Sequence, residues 1–575
     1  MFQTVQMREA RGRAPVFPDR WGQAIINRLP PEMARQAHDR WVAVANSGIR
    51  YPGIRHDGLA PHAKANGELA RLRNELAQLK FSVAVSAAEI ADAALKLADL
   101  CERRAFSGVK IAEHFGIEVK WPKNATEDSI RRRFCDARWW RKQLHTVIGR
   151  AIEEMHRRRG LVRAGKAVYL TDWSLRRWRG RRAANSRMLE DSVAVNEEGA
   201  TLELWDVVQK SVSNPELRRK EMMLRARGFE QQARDNGYTW TFATLTCPSA
   251  FHPQMKKGGD NSRYQGGTVR DGQAWLCGRW EGVRASLHRE GVMIFGFRVA
   301  EPNHDGTPHW HALLFVRPDK VDRLEELLRN AWLAEYADEP GAAEHRVSFA
   351  RENAARPGSS AAGYIAKYIG KNIDGHGVDV DHESSLEGAD GAERATAWAS
   401  VHGVRQFQQI GGPAVALWRE CRRLRDPIAP PEIEAARVHT SKPACWAKFI
   451  DAIGGIVAGR KTAIQPWKKL PLDLNRYGEK RAPAIIGIRS IAHRIRTRVH
   501  VWRIERKPKA GEAWFLNSGA ATAACSRSSS SLGPVSITVR ARQHPAALNS
   551  EGFTCKTGPC ERKAVQAVRL HQPDP

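Results

Sequence analysis

Cysteine is scarce, with nine in 575 residues at irregular spacing. An odd, scattered set excludes the disulfide framework of a small secreted domain. The one close pair, Cys555 and Cys560, has no second pair at zinc-site spacing. Long apolar runs are also missing, and none approaches the roughly 20 residues that a membrane span needs. The N-terminal MFQTVQMREARGRAP carries no apolar core of a secretory signal. Acidic residues are outnumbered: 63 Asp and Glu face 92 Lys and Arg, for a formal net charge of +29. These absences describe a soluble, reduced, cytosolic chain with no membrane partner. Its charge makes nucleic acid the first expected partner.

A chain of this length exceeds one hydrophobic core, and composition divides it into five stretches. Residues 1–60 are rich in Pro, Arg and Gly with weak periodicity and read as an irregular segment. Residues 61–215 read as a basic helical domain that holds DNA. Within it Leu69, Leu72, Leu76 and Leu79 mark one apolar stripe, and Asn124 with Glu127 resembles a capping box. Basic residues interleave with tryptophan at Arg138, Trp139, Trp140 and Arg141, and again at Arg176, Arg177, Trp178 and Arg179. Such a pattern can grip phosphates while rings stack on bases, or bury the rings beneath a solvated cationic face. Helical spacing leaves both open. Residues 428–510 read as a basic accessory region, and 511–575 as a low-complexity, disordered tail.

The stretch 216–427 reads as an α+β domain with a central antiparallel sheet. Tyr238 to Cys247, YTWTFATLTC, alternates like a strand, and a helix follows over 272–289. A second strand from Val292 enters the turn Asn303-His304-Asp305-Gly306, and a third leaves it at Pro308. His309 and His311 lie two apart on that third strand, so both imidazoles share one face and can reach one metal ion. A third ligand is needed. Glu301, at the end of the preceding strand, would meet the histidines across the hairpin, and His304 in the turn is its rival. Further on, Tyr364 and Tyr368 lie four apart in a helical segment and share a face, with Lys367 and Lys371 beside them. A metal beside paired phenols fits DNA cleavage by a tyrosine nucleophile, with the lysines contacting the phosphate or favouring the phenolate.

The strings RVAEPNHDGTPHWHALLF (298–315), GYIAKYIGKNIDG (363–375) and VRQFQQIGGP (404–413) resemble the replication gene A proteins of tailed double-stranded DNA phages. These are two-tyrosine members of the His-hydrophobe-His endonuclease superfamily, and Trp310 is the hydrophobe here. FATLT, 242–246, resembles the superfamily's first strand motif. The resemblance covers about residues 220–425. It implies Tyr364 and Tyr368 as nucleophiles, and His309 and His311 as ligands of Mg²⁺ or Mn²⁺. Glu301 is the implied acidic third ligand. It further implies rolling-circle initiation on single-stranded or supercoiled origin DNA in the cytoplasm of a bacterial host, alongside a host helicase and polymerase.

Three rival readings stand beside it. A plasmid initiator or relaxase would use the same chemistry, and an inactive prophage remnant would only bind DNA. A metal-dependent hydrolase would need more ligands, for which His376, Asp379, Asp381 and His382 are the one cluster in view. A helicase in the same chain is not expected. In the stretch from Gly454 to Thr462, Arg460 separates glycine from lysine where a phosphate loop needs them adjacent.

Overall fold

The computed structural model describes residues 18–46, 61–78, 86–103, 107–122, 124–256, 258–352, 360–381, 386–441, 443–459 and 461–507. The expected tail at 511–575 lies outside them. The described residues form two compact units. One runs to Arg176 and takes short pieces near 256–260 and 477–479; the other holds the remainder.

The first unit is helical. Expected to be irregular up to residue 60, the chain instead forms helices Arg20–Ile26 and Pro31–Asn46. Met33, Ala37, Trp41 and Ala45 recur every fourth residue in the second of these, and Met33, Trp41 and Ala45 are buried. That period sustains a helix despite the surrounding Pro and Arg. Leu69 and Leu72 are buried as the stripe requires, whereas Leu79 lies outside the described residues. The helix Glu127–Phe134 is capped by Thr126 and Ser129 rather than by Asn124 and Glu127, each side chain bonding the other's backbone N–H. The helix Ala137–Arg158 buries Trp139, Trp140, Leu144, Ile148 and Ile152.

A buried carboxylate ties that helix to the chain that follows. Glu153 accepts from the Thr171 backbone N–H at 2.8 Å, from the Thr171 hydroxyl at 2.6 Å and from the Ser174 hydroxyl. Burial alone would raise its pKa, but His156 and these hydroxyls outweigh it and hold the carboxyl at about 2. A depressed carboxylate stabilises the fold above its unfolded pKa and loses that contribution as pH falls toward the folded value. We expect Glu153→Gln to cost about 3 kcal/mol at neutral pH and to flatten the acid limb below pH 4.5. Urea melts at several pH values measure both effects.

The second unit centres on a five-stranded sheet whose strands are all antiparallel. Its elements in chain order are α1 (Pro215–Asp235), β1 (Thr239–Thr246), α2 (Val269–Arg289), β2 (Phe295–Pro302) and β3 (Pro308–Val316). There follow α3 (Val321–Leu333), β4 (Val347–Arg351), α4 (Ala361–Ile373), α5 (Gly388–His402) and β5 (Phe407–Ile410). The spatial order is β4-β1-β3-β2-β5, with the histidine strand in the middle. Every residue of β2 and β3 is buried because helices cover both faces. One face carries Trp240, Phe242, Phe295, Phe297, Leu313 and Phe315 against α1 and α4. On the other, Trp310 donates to Gln273 of α2 at 3.1 Å and lies beside Trp332 of α3.

Residues 428–510, expected to be a separate accessory region, largely join this unit. Ile433, Trp446, Phe449, Ile464 and Ile488 belong to the same apolar core as Phe229 and Phe297. Apolar residues spread thinly through a basic segment do not reveal in sequence which core receives them. The α+β class with an antiparallel central sheet is what the structure contains.

A candidate metal centre beside two tyrosines

The hairpin between β2 and β3 sets the geometry. Its turn closes with the Gly306 N–H donating to the Asn303 carbonyl at 2.8 Å, and Gly306 takes φ +80°. The resulting register pairs Glu301 with His309 and Val299 with His311. Residues two apart on a strand share a face, so Glu301, His309 and His311 point the same way. Their donor atoms lie within 4.8 Å of one another, and all three residues are buried. His304 is not part of this group.

The two Nε2 atoms of His309 and His311 approach to 2.9 Å, and His311 Nε2 is 3.9 Å from Glu301 Oε2. On its far side, His311 Nδ1 meets the Thr244 hydroxyl of β1 at 3.2 Å. Burial, reinforced by the charges of His309, Lys371 and Lys367, holds the His311 pKa well below the usual imidazole range. Neutral imidazole is the form that binds a metal. Two converging imidazoles and one carboxylate make a donor set that fits a divalent cation, so this buried group could hold one.

Helix α4 brings the tyrosines over the same face. Its start is fixed twice: the Ser360 hydroxyl accepts from the Gly363 N–H at 2.9 Å, and Glu230 of α1 accepts from the Ala361 N–H at 2.9 Å. Ala361, Ala362, Ile365 and Ile369 point into the core. Tyr364 and Tyr368 therefore lie along the flank, their rings 6.5 Å apart and nearly parallel. Tyr368 packs 4.0 Å from the His311 ring and stacks on Phe242 at 5.0 Å. Tyr364 sits one turn earlier, against Phe242 at 4.6 Å, and is 43% exposed.

The two lysines part company. Lys367 is exposed, whereas Lys371 is buried with Nζ 3.2 Å from both Glu301 and Asp381. Sequence reasoning missed the residue that joins this helix to the Glu301, His309 and His311 group. Asn372, fully buried, donates to Glu301 Oε1 and to the Tyr368 carbonyl, and Gln406 donates to its side-chain oxygen at 3.4 Å. It stands four residues after Tyr368, a spacing that could have flagged it.

For the interleaved basic segments the structure corrects one of the two open readings. Trp139, Trp140 and Trp178 are buried, and the Trp140 indole donates to the Phe134 carbonyl at 2.6 Å, so these rings are not platforms for bases. Arg138 and Arg141 are exposed. Arg176 pairs with Glu32 at 2.8 Å, Arg179 with Glu393 at 3.1 Å, and Arg177 is partly buried. Of the rival hydrolase ligands, Asp381 is engaged by Lys371, His376 and Asp379 are exposed, and His382 lies outside the described residues. The glycine-rich stretch near 454 forms a short 3₁₀ turn, Ile456–Ala458, rather than a phosphate loop opening a helix.

A profile of the bacteriophage replication gene A protein (GPA) matches residues 65–376. The chain belongs to that family. It is 38% identical over 424 residues to the replication protein of Haemophilus phage HP1, covering 71% of this chain and 53% of the relative. With the replication gene A protein of Escherichia phage 186 it shares 36% identity over 396 residues, 66% of this chain and 56% of the relative. A probable replication endonuclease from a prophage-like region of Salmonella paratyphi A is 34% identical over 59% of this chain and 44% of its own length. The chain thus spans about half the length of the curated relatives it matches. No solved structure matches it. The family match begins at residue 65, so it takes in the helical first unit from that residue on, which the resemblance from about residue 220 had left out.

Proposed function

We propose that this chain is a metal-dependent, site-specific single-strand DNA endonuclease and strand transferase that starts phage DNA replication by the rolling-circle route. One observation carries the reading. The Glu301, His309 and His311 group and the Tyr364, Tyr368 pair occupy the same face of the sheet, with Tyr368 against His311. Membership of the gene A family and relatives named as replication endonucleases support DNA as substrate.

A phenol of α4 attacks phosphorus, the bond to the 3′ oxygen breaks, and the 5′ phosphate stays on the tyrosine while a 3′-OH is released. The ester conserves bond energy, so rejoining needs no nucleotide. Bound Mg²⁺ or Mn²⁺ would polarise a non-bridging phosphate oxygen. Glu301, His309 and His311 would hold it, with Thr244 orienting His311 from behind. Exposed Lys367 would meet the DNA phosphate, whereas Lys371 pairs with Glu301. Two tyrosines one turn apart let one keep a strand end while the other attacks a second strand. Of the interleaved basic residues, exposed Arg138 and Arg141 would contribute phosphate contacts, whereas Arg176 and Arg179 are engaged by Glu32 and Glu393 and Arg177 is partly buried. Unwinding falls to a host helicase, and synthesis to a host polymerase, in the bacterial cytoplasm. No helix among the described residues is long and apolar enough to cross a membrane.

The test is a supercoiled plasmid carrying this protein's own gene. Incubation with Mg²⁺ or Mn²⁺ should yield open circles that retain protein after denaturation, and EDTA should prevent it. Plasmid left supercoiled, or nicked without attached protein, would overturn the reading.

Asn372 supplies a finer expectation. Removing a group that orients a ligand costs about 10- to 100-fold in metal affinity or activity. Asn372→Ala should raise the half-saturating Mn²⁺ concentration by that factor, with less effect at saturating metal. A metal titration of nicking reads this directly, and an unmoved midpoint would remove Asn372 from the site.

A further inference from the structure

In the third matched string, VRQFQQIGGP, Gln406 touches the candidate metal group through Asn372, while the residues after it build one side of a cleft. This cleft has a volume of about 920 Å³. It lies between α1, β5 with the loop after it, and the antiparallel pair Gln465–Lys469 and Ala484–Arg489. Phe407, Gln409, Gly411, Gly412 and Pro413 line it. Gly411 and Gly412 take φ +62° and +64°, and a Cβ on either would collide at 2.7 Å with Ile294 or Phe229. This left-handed pair turns the chain sharply after β5. Gln409 braces the turn by donating to the carbonyls of Gly411 and Pro413, and its own oxygen accepts from Arg225 at 2.9 Å.

The charge is strongly one-sided. Arg218, Arg225, Arg405, Arg419, Lys468 and Arg489 line the cleft, and Glu221 is its single carboxylate. Glu221 is already held by Arg419, through both its oxygens. Arg218 lies over the Phe407 ring at 5.0 Å and Arg225 over the Phe297 ring at 5.5 Å. Burial pulls the Arg225 pKa down to about 10; Glu221 opposes that, while Arg419 and Arg218 add to it. It stays cationic at neutral pH. Three half-buried and three exposed cations gathered in one cleft repel one another, and a polyanion would relieve that repulsion.

We infer that this cleft is a second DNA-binding site, apart from the metal centre, that takes the phosphodiester backbone of a single strand. Its cations come from α1, the helix Val415–Cys421, the residues just before β5 and a separate strand pair, a spread that suits successive phosphates better than one terminal phosphate. Phe297 on its floor shares β2 and its face with Glu301 four residues away, about 13 Å along the strand. A strand in the cleft therefore runs within reach of the tyrosines. The inference rests on DNA being the substrate but not on cleavage, because binding can be read without metal.

The experiment is fluorescence anisotropy of labelled oligo-dT in EDTA across a salt series, using the full chain. The triple variant Arg405→Gln, Lys468→Gln, Arg489→Gln alters only exposed side chains. It should weaken binding at least tenfold and flatten the salt slope by about 2, at about 0.7 per phosphate contact. Arg405→Lys, Lys468→Arg, Arg489→Lys should retain wild-type binding. An unchanged affinity and slope in the Gln variant would overturn the inference. So would displacement of the oligonucleotide by micromolar ATP or inorganic triphosphate, which would mark a free-nucleotide site. Photo-crosslinking of 5-iodouracil oligonucleotides to the unmutated protein supplies a check independent of variant folding. Adducts should map to peptides around Phe407 or Lys468, and adducts confined to other peptides would count against the cleft.

Discussion

Replacing Tyr364 and Tyr368 together by Phe should eliminate covalent attachment to DNA, by at least on the order of 10³-fold, while leaving binding intact. The substitution deletes two hydroxyls and little else. Both rings pack through their faces: Tyr368 on Phe242 and His311, Tyr364 on Phe242 and, at 6.0 Å, Trp240. Phenylalanine keeps those contacts, and the helix is anchored by Ile365 and Ile369 beneath and by Ser360 and Glu230 at its start. A loss of adduct would therefore report chemistry rather than unfolding. Gel shift and denaturing-gel assays on one preparation separate the two quantities. Adduct retained by the double variant would sink the nucleophile assignment.

His309→Ala with His311→Ala should abolish metal-stimulated nicking, a loss of about 10³-fold if the cation supplies several kcal/mol of charge stabilisation. These imidazoles lie on the central strand of the sheet, so folding must be checked alongside activity. Two effects compete there. Truncation removes buried volume, but it also removes two buried polar rings, whose desolvation is only partly met by the 2.9 Å contact between their Nε2 atoms. Isothermal titration with Mn²⁺ gives a readout that does not depend on cleavage. Wild-type protein should bind one ion tightly at this group and the double variant should not. Equal binding by both proteins, or undiminished nicking by the variant, would refute the metal site.

The parts of this site legible in sequence are those governed by local periodicity. The two-residue repeat of a strand puts His309 and His311 on one face, and an Asp-Gly turn fixes the register that brings Glu301 opposite His309. The i, i+4 repeat of a helix places Tyr364 beside Tyr368. What sequence left open depends on packing between distant segments. Whether Trp139, Trp140 and Trp178 face bases or core is decided by helices elsewhere in the chain. The fate of residues 428–507 turns on Trp446 and Phe449 reaching Phe229 and Trp418, more than 200 residues from Phe229 in the first case. Asn372 escaped notice because its role comes from Glu301, 71 positions away. Two early helices escaped because Pro and Arg dominate their surroundings, although Met33 and Trp41 carry a clear apolar face.

The central claim is that a tyrosine of α4 becomes bonded to DNA under the control of the Glu301, His309 and His311 group. The most direct measurement is mass spectrometry of the covalent adduct. Purified protein would be mixed with single-stranded fragments of its own gene, with Mn²⁺ or with EDTA, then digested with nuclease and protease. The expected result is a nucleotide mass on the peptide containing Tyr364 and Tyr368, present with metal and absent with EDTA. A nucleotide on any other residue, or no adduct despite tight salt-sensitive binding to the same fragments, would contradict it.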